Sequence, residues 1–125
     1  MVKIRQHGEN KQLFDIASFI PFLEERINIL QWKISIDWCT GENSLEIEKS
    51  AETPWIGSHL EFKKIYGNIF QTIDGEFQIT ASEGKVKMLA FDSSYWEIES
   101  DIPELESIFL STFGEYVGYI AQPLH

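Results

Sequence analysis

Glu97 and Glu99 stand two residues apart in Ser94-Tyr95-Trp96-Glu97-Ile98-Glu99, and paired carboxylates are what inverting glycosidases use as acid and base. In a strand, residues i and i+2 share a face with Cα atoms about 7 Å apart, near the separation such a pair needs. Any strand with two outward acids reproduces that spacing, and nothing in the sequence places a cleft over this one. The plainer reading is a solvated face. Like charges about 7 Å apart repel by roughly 0.6 kcal/mol in water and about 2.4 kcal/mol at an effective dielectric of 20. The pair is cheap while exposed, and a partner that covered it would have to bring cations.

Other chemistry is thinner. His7, His59, His125 and Cys39 form neither H-E-x-x-H nor C-x-x-C, and His59-Leu60-Glu61 matches the H-x-E of zinc deaminases without its P-C-x-x-C. No metal site is expected. Cys39 lies near Asp37 and Glu42, and negative surroundings oppose the thiolate a nucleophile requires. The eight glycines form no G-x-S-x-G, G-x-G-x-x-G or phosphate-cradling loop. The sequence therefore predicts neither catalysis nor a cofactor.

The bulk composition bounds the partner. The chain has 125 residues and a formal charge of -10. Residues 1–33 carry a net +1, 34–67 a net -3 and 68–125 a net -8, with no Lys or Arg after Lys87. Asp92 to Glu106 alone holds six carboxylates and no base. This pattern argues against nucleic acid, whose phosphates are gripped by cations, and against anionic membrane surfaces. A cationic protein is the natural complement. A single Cys, an N-terminus without an apolar core and a longest apolar run of only Phe19 to Leu23 fit a soluble cytoplasmic protein.

The elements that would position these groups follow from periodicity. Phe19, Leu23, Ile27 and Leu30 recur at helical spacing, with Ser18 as N-cap and Pro21 in the first turn. Trp32 to Cys39 and Ser44 to Lys49 alternate and read as a hairpin, followed by a loop from Ser50 to Ser58 and an ambiguous Leu60 to Tyr66. Asp74-Gly75 and Ser82-Glu83-Gly84 separate Ile69–Ile73, Glu76–Ala81 and Lys85–Phe91, which predicts a meander. Ser94 to Glu99 adds a strand with Trp96 and Ile98 inward. Asp101 to Glu104 has capping-box spacing, after which Ile102, Leu105, Phe109 and Phe113 share a helical face. Val2–Arg5 and Tyr116–Ala121 suggest strands at the two ends. The expected fold is a single α+β domain over residues 1–125, an antiparallel sheet of about five to seven strands with two amphipathic helices on one face.

An acidic single domain with one Cys, no catalytic motif and the strand Ser94-Tyr95-Trp96-Glu97-Ile98-Glu99 resembles the small immunity proteins of bacterial contact-dependent inhibition and polymorphic toxin systems. The resemblance lies in the overall profile and implies a protein that neutralises a basic, nuclease-type toxin. Glu97, Glu99 and Asp101, with Asp92 and Glu106 at the margins, would meet the toxin's Lys and Arg. Tyr95 would be the desolvated anchor. Trp55 reads equally as an exposed anchor or as a lid over the core. The surplus of aromatics, 14% of residues, motivates an alternative from another class, a small-molecule-binding domain or accessory enzyme with an aromatic-lined pocket between sheet and helices. A subunit of a larger assembly is a third.

Overall fold

An apolar stripe on a strand has to be covered, and among the described residues three helices cover one face of one sheet. The structure, a computed structural model, describes residues 1–8, 10, 12–41, 54–66, 69–92 and 94–117, without the side chains of 37–41 and 69–70. The elements are β1 (Val2–Arg5), α1 (Ile16–Glu24), β2 (Ile29–Gly41), β3 (Trp55–Ser58), α2 (His59–Tyr66), β4 (Ile69–Ala81), β5 (Gly84–Phe91), β6 (Tyr95–Ser100) and α3 (Leu105–Phe113). The six strands form one antiparallel sheet in the order β1-β6-β5-β4-β2-β3, so the α+β expectation holds.

Alternation places Trp32, Ile34 and Ile36, Phe77 and Ile79, Val86 and Met88, and Trp96 and Ile98 on the covered face, all buried. Each helix answers with aromatic rings. Phe19 of α1 packs edge-on against Trp96 at 5.1 Å, Phe62 of α2 stacks flat on Trp32 at 3.6 Å, and Phe109 of α3 meets Phe19 at 5.7 Å. These pairs add to large buried areas. Among the described residues, the aromatics of this layer pack against one another. Both buried indoles find acceptors, Trp32 Nε1 donating to His59 Nδ1 at 2.9 Å and Trp96 Nε1 to the Phe14 carbonyl at 3.1 Å.

Several local expectations are corrected. The N-cap of α1 is Asp15 and not Ser18, so Pro21 lies inside the helix. It is tolerated because Pro21 and Ala17 are both exposed, which leaves the freed carbonyl on the solvent side. The helix also stops at Glu24, before Leu30, which belongs to β2. Asp74-Gly75 makes no hairpin. Neither residue takes the positive φ that such a turn needs, and β4 runs straight through them against the equally long β2. Gly75 sits where the pairing shifts register, at Ile36/Trp38, a normal place for glycine in a strand. The turn at Ser82-Glu83 is real, with Gly84 at φ 154°.

Trp55–Ser58, expected as loop, is the edge strand β3, and Leu60 to Tyr66 belongs to a helix, so the described residues hold three helices where two were expected. Asp101 caps no helix: α3 starts at Leu105 after a left-handed Glu104 that makes no side-chain cap. At the C-terminal end, among the described residues, Glu115 bridges to Ile4 and the Tyr116 amide donates to the Lys3 carbonyl at 2.9 Å. The expected hairpin strand 44–49 and residues 118–121 of the last expected strand lie outside the described residues, as do the side chains of Trp38 and Cys39.

Candidate functional site

The opposite face of the sheet carries no helix among the described residues, and cross-strand register arranges its side chains in rows. One row runs Lys3, Glu97, Leu89, Glu76, Ser35; the next runs Glu99, Lys87, Gln78, Lys33, Ile56. Glu97 and Glu99 thus share the outer face, as alternation predicts. Their strand, however, lies between lysine-bearing neighbours. Glu97 is registered with Lys3 and Glu99 with Lys87, while Lys87 Nζ lies 3.6 Å from Glu76 Oε1. Opposite charges facing each other across strands favour the pairing, so the acidic strand is embedded in an alternating pattern of charge. Beside it lies a shallow depression of about 580 Å³ lined by Lys33, Gln78, Thr80, Lys85, Lys87 and Glu99.

Tyr95 also faces outward. It stacks between Phe91 at 5.1 Å and Tyr116 at 4.5 Å, with Lys3 Nζ 5.1 Å from its ring centre. The stack fixes its rotamer, which lowers the entropy a contact would cost. The remaining predicted contact residues have structural tasks. Asp92 is a turn residue at φ 46° whose amide donates to Asp74 Oδ1 at 3.1 Å. Asp101 Oδ1 accepts the Lys85 amide at 2.7 Å. Glu106 accepts the Ser100 amide at 2.9 Å and pairs with the terminal amine of Met1 at 2.7 Å. Its carboxyl is held below its ordinary range, first by that amine and then by the Ser100 amide. Trp55 packs on Tyr66 at 5.1 Å and Phe62 at 6.5 Å, so it is a lid over the core and not an exposed anchor.

His59 sits in a chain of hydrogen bonds. An indole N–H only donates, so His59 Nδ1 accepts from Trp32 and Nε2 carries the hydrogen that goes to Glu24 Oε2 at 2.8 Å. Both ring nitrogens are engaged in these hydrogen bonds. Lys63 joins the same carboxylate at 3.0 Å, and His59 and Lys63 together hold the Glu24 carboxyl low. The group pins α1 to α2. Glu61, the other half of H-x-E, turns away to cap α2: its Oε1 accepts the Ser58 amide at 3.0 Å and its own amide donates to Ser58 Oγ at 3.2 Å. Among the described residues no three His, Cys, Asp or Glu side chains gather as metal ligands.

Sequence reasoning missed a buried polar cluster. Asp15, 2% exposed, accepts from the Ile16 amide and the Thr72 hydroxyl at Oδ1, and from the Thr72 amide and Gln6 Nε2 at Oδ2, at 2.8 to 3.1 Å. Gln6 also donates to the Thr72 carbonyl at 2.8 Å. Burial pushes the Asp15 carboxyl up to about 6 against the pull of these donors. The cluster ties the end of β1, the start of α1 and β4 together. Its only advance signal was Asp15 preceding the apolar Ile16-Ala17-Ser18-Phe19. No helix among the described residues is long and apolar enough to cross a membrane. Comparison of the chain with family models, curated proteins and solved structures finds no match in any of the three.

Proposed function

We propose that the protein is a non-catalytic, cytoplasmic binding domain that offers the helix-free face of its sheet to a basic protein, and that it acts as an immunity-type inhibitor of a nuclease-type toxin. The observation that supports this reading most directly is the juxtaposition of the Phe91–Tyr95–Tyr116 stack with Glu97 and Glu99 on that face. A rigid aromatic anchor beside carboxylates suits a cationic counterpart. The neighbouring lysines refine the partner: a uniformly basic surface would meet Lys3 of β1 and Lys87 of β5, so the counterpart is basic opposite β6 and carries acids opposite β1 and β5.

The test is affinity capture from the native cell at low and high salt with the wild type, Glu97→Lys/Glu99→Lys and Tyr95→Ala. One basic protein retained by the wild type, released by salt and lost by both variants is expected. Equal retention by all three would remove the outer face from the interaction.

A further inference from the structure

Arg5, at the end of β1, has no counter-charge among the described residues. Its Nε–H is buried and finds no acceptor among them, and a charged donor left so calls for a partner. Arg26 shows what this chain otherwise does with a guanidinium: it donates to the Phe22 carbonyl at 2.8 Å, lies over the Phe22 ring and pairs with Glu25 at 3.5 Å. Arg5 forms no such ion pair within 4.0 Å among the described residues, although acids outnumber bases 20 to 10 in the sequence.

Arg5 instead lines a pocket of about 250 Å³ with Asn10, Gln12, Phe14, Ser111 and Thr112, while its Nε atom is itself closed off from solvent. The side chains of Asn10, Gln12 and Thr112 can donate hydrogen bonds, whereas Ser111 Oγ already donates to the Ile108 carbonyl at 3.1 Å. Among the described residues neither a carboxylate nor a second cation lines it. Room for the guanidinium depends on Gly114, where a Cβ would come within 2.7 Å of Nε. Gly114 also ends α3, and the negative end of that helix favours a cation there without giving Nε–H an acceptor.

We propose that this pocket binds a single carboxylate group, with Arg5 as its counter-ion. One guanidinium balances one negative charge, and its fork of donors fits the two oxygens of a carboxylate; a phosphate dianion would be left half neutralised. The group belongs either to a free small acid or to an acidic side chain of a bound protein.

The Arg5 Nε–H signal reads this directly, since Arg5 and Arg26 are the two arginines of the chain. The full-length, nitrogen-15-labelled protein is titrated at constant ionic strength with acetate, blocked aspartate and phosphate. Acetate should move the Arg5 signal saturably, with a midpoint in about the millimolar range for so small a ligand, and leave Arg26 in place. A lower midpoint for blocked aspartate assigns the site to a protein side chain, and a lower one for acetate assigns it to a free acid. Arg5→Lys keeps the charge but not the fork, and should raise the midpoint about tenfold at the Thr112 amide; Thr112→Val should raise it about threefold. An unchanged midpoint in both variants, parallel unsaturating drift of both arginines, or tighter binding of phosphate would overturn the assignment. So would an Arg5 signal that ignores acetate and moves in Glu9→Gln, which would make the partner intramolecular.

Discussion

Replacing Asp15 by asparagine changes one atom at the centre of the buried cluster, and the hydrogen-bond pattern decides the outcome. Ionised Asp15 accepts four donors. Protonated Asp15 is also satisfied, because the Thr72 hydroxyl can turn and accept the carboxyl proton, giving up its own donation to Oδ1, while the other three donors keep their oxygens. Asparagine is not. Placed at Oδ2, its nitrogen faces the Thr72 amide and Gln6 Nε2; placed at Oδ1, it faces the Ile16 amide. Either way a buried donor loses its acceptor, at about 1–3 kcal/mol. Asp15→Asn should therefore cost roughly 2 kcal/mol at pH 7, and Asp15→Ala, which also removes the N-cap, roughly 4 kcal/mol.

The pH dependence supplies a second, independent handle. The folded carboxyl titrates at about 6, above its ordinary 3.8. Between those values the folded state holds a proton that the unfolded state has released, so the contribution of Asp15 is complete below 3.8 and is lost as pH rises through 6. The span is worth roughly 3 kcal/mol at 1.36 kcal/mol per pH unit. Glu24, Glu61 and Glu106, whose carboxyls are held low, act in the opposite direction but equally in both proteins. Urea denaturation of wild type and Asp15→Asn from pH 7 to pH 4 should show the wild type's advantage widening toward acid. A gap that stays constant or narrows would refute this account of the cluster.

His59→Ala should destabilise by about 2 kcal/mol by stranding the Trp32 indole N–H and releasing Glu24, read by urea denaturation followed through tryptophan emission. Gly84→Ala should cost roughly 2 kcal/mol or more, because Gly84 has φ 154° and a Cβ there would lie 2.4 Å from Asp101 Oδ1. Gly75→Ala should cost less than half as much, its nearest contact being Thr72 Cγ2 at 3.0 Å, and a reversed order by thermal denaturation would contradict the placement of the hairpin turn.

What the sequence revealed and concealed has a physical pattern. Alternation in Ser94–Glu99 assigned Trp96 and Ile98 inward and Tyr95, Glu97 and Glu99 outward correctly, because a pleat carries that information locally. Asp74-Gly75 misled because a local turn preference was outweighed by a ladder with β2, a partner more than thirty residues away. The helix α2 was announced by Ser58-His59-Leu60-Glu61, a complete S-x-x-E capping box, yet Lys63 and Lys64 dilute its apolar stripe of Phe62 and Tyr66. The candidate site suffered most. Counting charge along the chain isolates Asp92 to Glu106 as acidic, whereas the order β1-β6-β5 sets Lys3 on one side of Glu97 and Lys87 on the other side of Glu99. Strand order belongs to the tertiary fold and leaves no trace in residue spacing.

The position of β1 bears on how the molecule comes together. The β4-β5-β6 meander closes through short turns, but β1 reaches β6 only when Arg5 meets Tyr95 across about ninety residues of chain, a closure roughly 3 kcal/mol more demanding in entropy than a two-residue turn. Contacts so distant in sequence slow folding. On these grounds the meander is expected to form before β1 docks on β6 and brings Gln6 to Thr72, although β1 is synthesised before every strand of that meander.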